Sequence, residues 1–131
     1  MVRRMVGRTD ILIVDDDPDH RDLVERRLRG WGCGVVQCAA TGGEALALCR
    51  AAAPKLILLD INLPDMSGLD VIRRLRADET MQSTLVVAIT IDDGKQRECL
   101  DLGCNGFIVK PVHFPTLRET MNELGIRVAH G

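Results

Sequence analysis

LILLDINLPDMSGLDVIRRLR, residues 56–76, changes its hydrophobic period halfway along. Leu56–Leu59 is apolar at every position, the pattern of a strand buried on both faces. Ser67-Gly68-Leu69-Asp70 then opens a helix, with Ser67 as a cap and Leu69, Val71, Ile72 and Leu75 at core-facing spacing. A doubly covered strand followed by a helix is the repeating unit of a parallel α/β sheet. One carboxylate, Asp60, stands where the strand stops.

The same alternation recurs on both sides of this segment. Ile11–Val14 reads as a buried strand, and Asp17-Pro18 supplies a helix cap followed by proline at the first helical position. That helix carries Leu23, Val24 and Leu28 and ends near Gly30. Val35–Cys38 is a weaker strand, and Thr41-Gly42-Gly43-Glu44 has capping-box spacing ahead of a helix through Ala45, Leu46 and Leu48. Leu85–Ile89 is the fourth strand, and Asp93-Gly94 precedes a helix ending at Gly103. Phe107–Val109 is the fifth strand, and the last helix runs from about Pro115 to Leu124. Five βα units with right-handed crossovers make a doubly wound parallel sheet, one domain over residues 10–125 with tails at 1–9 and 126–131.

Composition agrees and excludes several functions. The 131 residues are 46% hydrophobic but hold only two Phe, one Trp and no Tyr, so the core must be aliphatic. Seventeen basic against nineteen acidic residues, net −2, offer no field for nucleic acid, and the basic arm Arg3, Arg4, Arg8 reads as a solvated tail. The apolar runs are too short for a membrane span, and Asp15 closes Ile11–Val14 too early for a secretory signal. Five cysteines cannot all pair, which suits a reducing cytoplasm. Cys33/Cys38 and Cys99/Cys104 share one spacing, but the expected topology separates the two pairs across the sheet, against a joint metal site.

In open α/β sheets the functional crevice lies beyond the carboxyl ends of the strands. Strand one ends in Asp15-Asp16-Asp17, strand three in Asp60, strand four in Thr90 and strand five in Lys110, while strand two ends in unreactive Ala39-Ala40. Clustered carboxylates repel unless a cation neutralises them, and an all-oxygen set suits Mg²⁺. An aspartate can be a nucleophile toward phosphorus, and a hydroxyl and an ammonium can hold the charged oxygens of the group transferred. Asp17 reads as a cap, Asp65, Asp92 and Asp93 as rim residues that could tune the site, and His20, His113 and His130 as solvated or packing residues.

With ILIVDDDP, LILLDINLPDMSGLDVIRRLR, VVAIT and GCNGFIVKP in place, the chain resembles the receiver domain of two-component response regulators from about Ile11 to Leu124. The resemblance implies a flavodoxin-like sheet of order 2-1-3-4-5 with five helices. It implies Asp60 as phosphoacceptor, Asp15 and Asp16 with Asp60 and the Asn62 carbonyl as the Mg²⁺ site, and Asp16 as the more direct ligand of the acidic pair. Thr90, 30 positions after Asp60, and Lys110 would hold phosphoryl oxygens, the Lys110–Pro111 bond would be cis, and Phe107 would be the aromatic switch. It implies a signalling domain rather than an enzyme, phosphorylated by a histidine kinase or histidine phosphotransfer protein across the rim and first helix. A downstream protein would read the face of the fourth helix, fifth strand and fifth helix, and the chain would be a monomer or weak homodimer without direct nucleic-acid or membrane contact. Ile91 departs from the small residue usual after the hydroxyl position, which bears on rates of entry. Asp15 and Asp17 also fit the D-x-D of haloacid dehalogenase-type phosphatases, but Pro18 belongs to a helix start and 131 residues leave little room for a cap domain.

Overall fold

Successive side chains of a strand point to opposite faces, so a strand apolar at every position needs a layer on each side. The computed structural model describes residues 9–129; the basic arm and His130 lie outside them. The strands are β1 (Ile11–Val14), β2 (Val36–Ala39), β3 (Leu56–Asp60), β4 (Leu85–Thr90) and β5 (Gly106–Val109). The helices are α1 (Pro18–Gly30), α2 (Gly42–Ala51), α3 (Gly68–Ala77), α4 (Gln96–Asp101) and α5 (Phe114–Glu123). All strand pairings are parallel, in the order β2-β1-β3-β4-β5, as the resemblance implied.

Leu12, Val14, Ile57, Leu59, Val86 and Ala88 form one core with α2, α3 and α4. Ile11, Ile13, Leu56, Leu58, Val87, Ile89 and Ile108 form the other with α1 and α5. Each fully buried aliphatic side chain is worth about 1.5–3 kcal/mol over exposure, so two such layers hold the sheet without aromatic help. Cys33 and Cys38 belong to the second layer, and Cys49, Cys99 and Cys104 to the first. The expected separation of the two cysteine pairs therefore holds.

Local signals set the helix ends. Asp17 accepts from the N–H groups of Asp19 and His20, and Ser67 from that of Leu69. The Thr41 hydroxyl accepts from Glu44 N–H at 3.0 Å, while the Glu44 carboxylate reaches back to Ala40 N–H at 2.7 Å. The fourth helix is shorter than expected, because a 3₁₀ turn at Asp93–Lys95 takes its first residues. It stops at Gly103 (φ 106°), where Cys104 N–H returns to Cys99 C=O at 3.0 Å and Gly103 N–H to Leu100 C=O at 3.1 Å.

Residues 126–129, expected as tail, lie against the domain. Ile126 and Val128 pack on the second core layer, and Ala129 N–H donates to Trp31 C=O at 2.8 Å. Their alternating apolar residues were too few to register as a pattern.

Candidate phosphoryl and metal site

Strand register gathers the reactive residues. Val14 lies level with Ala39 and Leu59, Asp60 with Ile89, and Thr90 with Val109. The residues that leave the sheet after these positions therefore meet at one edge. Oxygens of Asp15, Asp16 and Asp60 lie within 4.8 Å of one another, with Asp15 and Asp60 buried and Asp16 exposed. Lys110 crosses the gap, its Nζ donating to Asp60 Oδ2 at 2.8 Å and to Asp15 Oδ2 at 3.1 Å. The Lys110–Pro111 peptide bond is cis, as expected.

The loop after β3 is folded tightly enough to demand glycine. A Cβ on Gly68 would stand 2.6 Å from the Asp60 carbonyl oxygen and 2.7 Å from Ile61 Cα. Gly68 N–H donates to Ile61 C=O at 2.7 Å, and Asn62 and Ser67 form a bridge across the loop. Asn62 N–H then reaches Asp60 Oδ1 at 2.9 Å, while its side-chain amide donates to the Thr90 hydroxyl at 3.3 Å. Thr90 is fully buried, and its hydroxyl also accepts from Asp92 N–H at 3.2 Å.

Asp15 is the most heavily bonded acid of the cluster. Its Oδ1 accepts from Asp17 N–H at 2.9 Å, and its Oδ2 meets His20 Nδ1 at 2.6 Å as well as Lys110. Burial acts to raise its pKa, but the hydrogen bonds from His20, Asp17 N–H and Lys110 outweigh it and hold the carboxyl down to about 2. For Lys110, burial acts to lower the pKa, and the bonds to Asp60 and Asp15 prevail, raising it above the ordinary lysine value. Both ends of this network are thereby kept charged.

Asp15, Asp16, Asp60, Asn62, Thr90 and Lys110 all border this edge. Phe107, level with Ala88 on β4, is half-buried against the first core layer. Ile91 is 73% exposed. Asp65 does not turn toward the carboxylates; it accepts from Gly43 and Gly42 N–H at 2.9 Å each, bonds that lower its pKa and cap α2. The Asp92 carboxylate is engaged locally by Gly94 N–H. His20, expected as a solvated or packing residue, instead makes a specific bond to Asp15, and Arg21 Nη1 holds the Asp15 carbonyl at 2.8 Å. The only hint of either was position, three and four residues after the Asp17 cap, where a first helical turn faces back toward the strand end.

The donor set fits Mg²⁺: hard oxygens, three carboxylates close enough to share an ion, and one of them exposed toward solvent. Among the described residues no helix is long and apolar enough to cross a membrane.

The family model of the response regulator receiver domain matches residues 11–122. The chemotaxis protein CheY-3 of Vibrio cholerae is 34% identical over 116 residues, covering 87% of this chain and 89% of that protein. The transcriptional regulatory protein ZraR of Salmonella typhimurium is 32% identical over 117 residues, and the chain spans only 26% of its length. Among solved structures, the chemotaxis response regulator CheY4 of Vibrio cholerae superposes with a TM-score of 0.82 at 30% identity, over 88% of this chain and 98% of that one. The response regulator TrrA of Thermotoga maritima, solved in complex with Mg²⁺-BeF, gives 0.78 at 27% identity, over 89% and 99%.

Proposed function

The chain belongs to the response regulator receiver family of two-component signalling, and from that membership we propose that Asp60 is its phosphoacceptor. The observation that carries the reading is Lys110 bridging Asp15 and Asp60 inside a cluster of three carboxylates from two strands. In the reaction, an Asp60 oxygen attacks the phosphorus of a phosphohistidine on a histidine kinase or phosphotransfer protein. The O–P bond forms as the N–P bond breaks, and the imidazole leaves with the electron pair. Lys110 transfers its bonds from the carboxylates to a phosphoryl oxygen, and the Thr90 hydroxyl takes another. Asp15, Asp16, Asp60 and the Asn62 carbonyl would hold Mg²⁺, which supplies positive charge that neutralises the acids and polarises the phosphoryl group.

The Thr90 hydroxyl accepts its two long hydrogen bonds, from the Asn62 side-chain amide and Asp92 N–H, and its proton is the group it donates to the phosphoryl oxygen as it moves. Phe107 turns inward as Thr90 moves, which alters the surface of α4, β5 and α5 that a downstream protein reads. A phosphoryl group shifts only states it binds differently, and the bond that Thr90 donates in the moved state provides the difference. The unit 10–125 acts in the cytoplasm as a signalling domain, monomeric or weakly dimeric, without direct nucleic-acid contact. The near-full-length match to a chemotaxis protein supports signalling by protein contact.

Intact mass after incubation with acetyl phosphate, with and without Mg²⁺, tests the assignment. One metal-dependent phosphoryl adduct is expected on wild type and none on Asp60→Ala. An adduct that persists in the variant refutes Asp60 as the acceptor.

A further inference from the structure

We propose that His20 is a positioning residue that holds the Asp15 carboxylate for the divalent cation and thereby sets how tightly the site binds it. The inference rests on the receiver reading above. Asp15 Oδ2 has two side-chain partners, His20 Nδ1 at 2.6 Å and Lys110 Nζ at 3.1 Å. Lys110 is shared with Asp60 Oδ2 at 2.8 Å and is the group that must move when Asp60 carries a phosphoryl group. His20 then remains as the side chain fixing Oδ2, while Asp17 N–H fixes Oδ1 at 2.9 Å.

Two features mark the contact as built rather than incidental. The His20 and Asp15 side chains are 17% and 4% exposed, so water competes little for their bond. The other ring nitrogen, Nε2, is buried with no hydrogen-bond partner among the described residues. Burying that atom unpartnered is unfavourable, and the Nδ1 bond to Asp15 is what offsets it. The ring stands on a stiff support, because Asp17 caps α1, Pro18 fixes the first turn, and Arg21 binds the Asp15 carbonyl at 2.8 Å. Partners of this kind hold a metal-binding carboxylate in one orientation, and losing one typically weakens the metal about 10–100-fold.

Isothermal calorimetry of Mg²⁺ binding to the unphosphorylated chain tests this with wild type, H20L and H20N, alongside their melting curves. The asparagine amide nitrogen overlies Nδ1 and keeps the donor, whereas leucine keeps only bulk. H20L should bind Mg²⁺ about tenfold more weakly, and H20N should stay close to wild type, with melting temperatures that do not follow the same ranking. Equal affinity in all three overturns the proposal, and so does an equal loss in H20L and H20N, which would assign the effect to ring packing. Should H20L not fold, H20Q takes its place, since its amide sits one bond too far out and should bind weakly. A wild-type chain that binds no Mg²⁺ removes the receiver reading and this inference together. Wild-type binding that H20L matches removes the inference alone.

Discussion

Strand β1 carries a buried aspartate just beyond each end, Asp10 before Ile11 and Asp15 after Val14. At the lower end, Asp10 Oδ2 accepts from Val35 N–H at 2.8 Å, and its backbone joins β2 and β3 through Val35 C=O and the N–H groups of Lys55 and Leu56. Lys55 Nζ lies 3.6 Å from the other oxygen. At the upper end, Asp15 has close partners too, but it shares one ammonium with Asp60 and stands beside a third carboxylate. One acid is balanced on the spot and locks a turn. The other belongs to a cluster with surplus negative charge. Burial is common to both, so the surplus charge, which a bound cation would relieve, is what distinguishes the end proposed as the site.

The largest effect should come from breaking the lower lock. Gly34 has φ 94°, and a Cβ there would stand 2.3 Å from Asp10 Oδ2. Gly34→Ala should cost roughly 2–3 kcal/mol, read as a lower urea midpoint at unchanged slope. An unchanged midpoint would mean that Asp10 and its turn are not rigid.

Acid should weaken the upper end next. The folded Asp15 pKa of about 2 lies below the ordinary aspartate value of 3.8. The unfolded state therefore binds the proton first, so the Asp15 contribution is complete above about pH 4 and is lost as pH falls toward 2. That contribution is about 2 kcal/mol, and Asp15→Asn should flatten this part of the stability–pH curve. Equal slopes in variant and wild type would show that the network does not hold Asp15 ionised.

The smallest effect sharpens the contrast of charge. Asp16 is exposed and accepts no hydrogen bond among the described residues. Asp16→Asn should therefore raise metal-free stability by about 0.5–1 kcal/mol through relief of repulsion alone. Mg²⁺ at ten times its Kd should add about 1.4 kcal/mol to wild type and less to the variant. A variant that melts lower without metal would place Asp16 outside the shared field.

Much of this was legible in advance, and the reason differs by residue. Leu56–Leu59 had to be covered on both faces, whatever covered it, and Asp17, Thr41 and Ser67 cap helices through contacts a few residues long. Asp15, Asp60, Thr90 and Lys110 could be named because strand ends converge in a parallel sheet. Residues whose role depends on side-chain direction were less legible. Asp65 looked like a rim acid, yet it turns to the N–H groups of Gly42 and Gly43, more than twenty positions away.

Sequence alone thus determined the layers, the strand ends and the residue types at the crevice, since these follow from hydrophobic period and chain connectivity. Tertiary structure alone decided that His20 grips Asp15, that Lys110 spans two carboxylates 95 and 50 positions away, and that Ala129 N–H reaches the Trp31 carbonyl. Such contacts depend on how each helix is rotated and seated on the sheet. A hydrophobic period determines which face turns inward, but it does not specify the few ångströms and degrees that make a hydrogen bond.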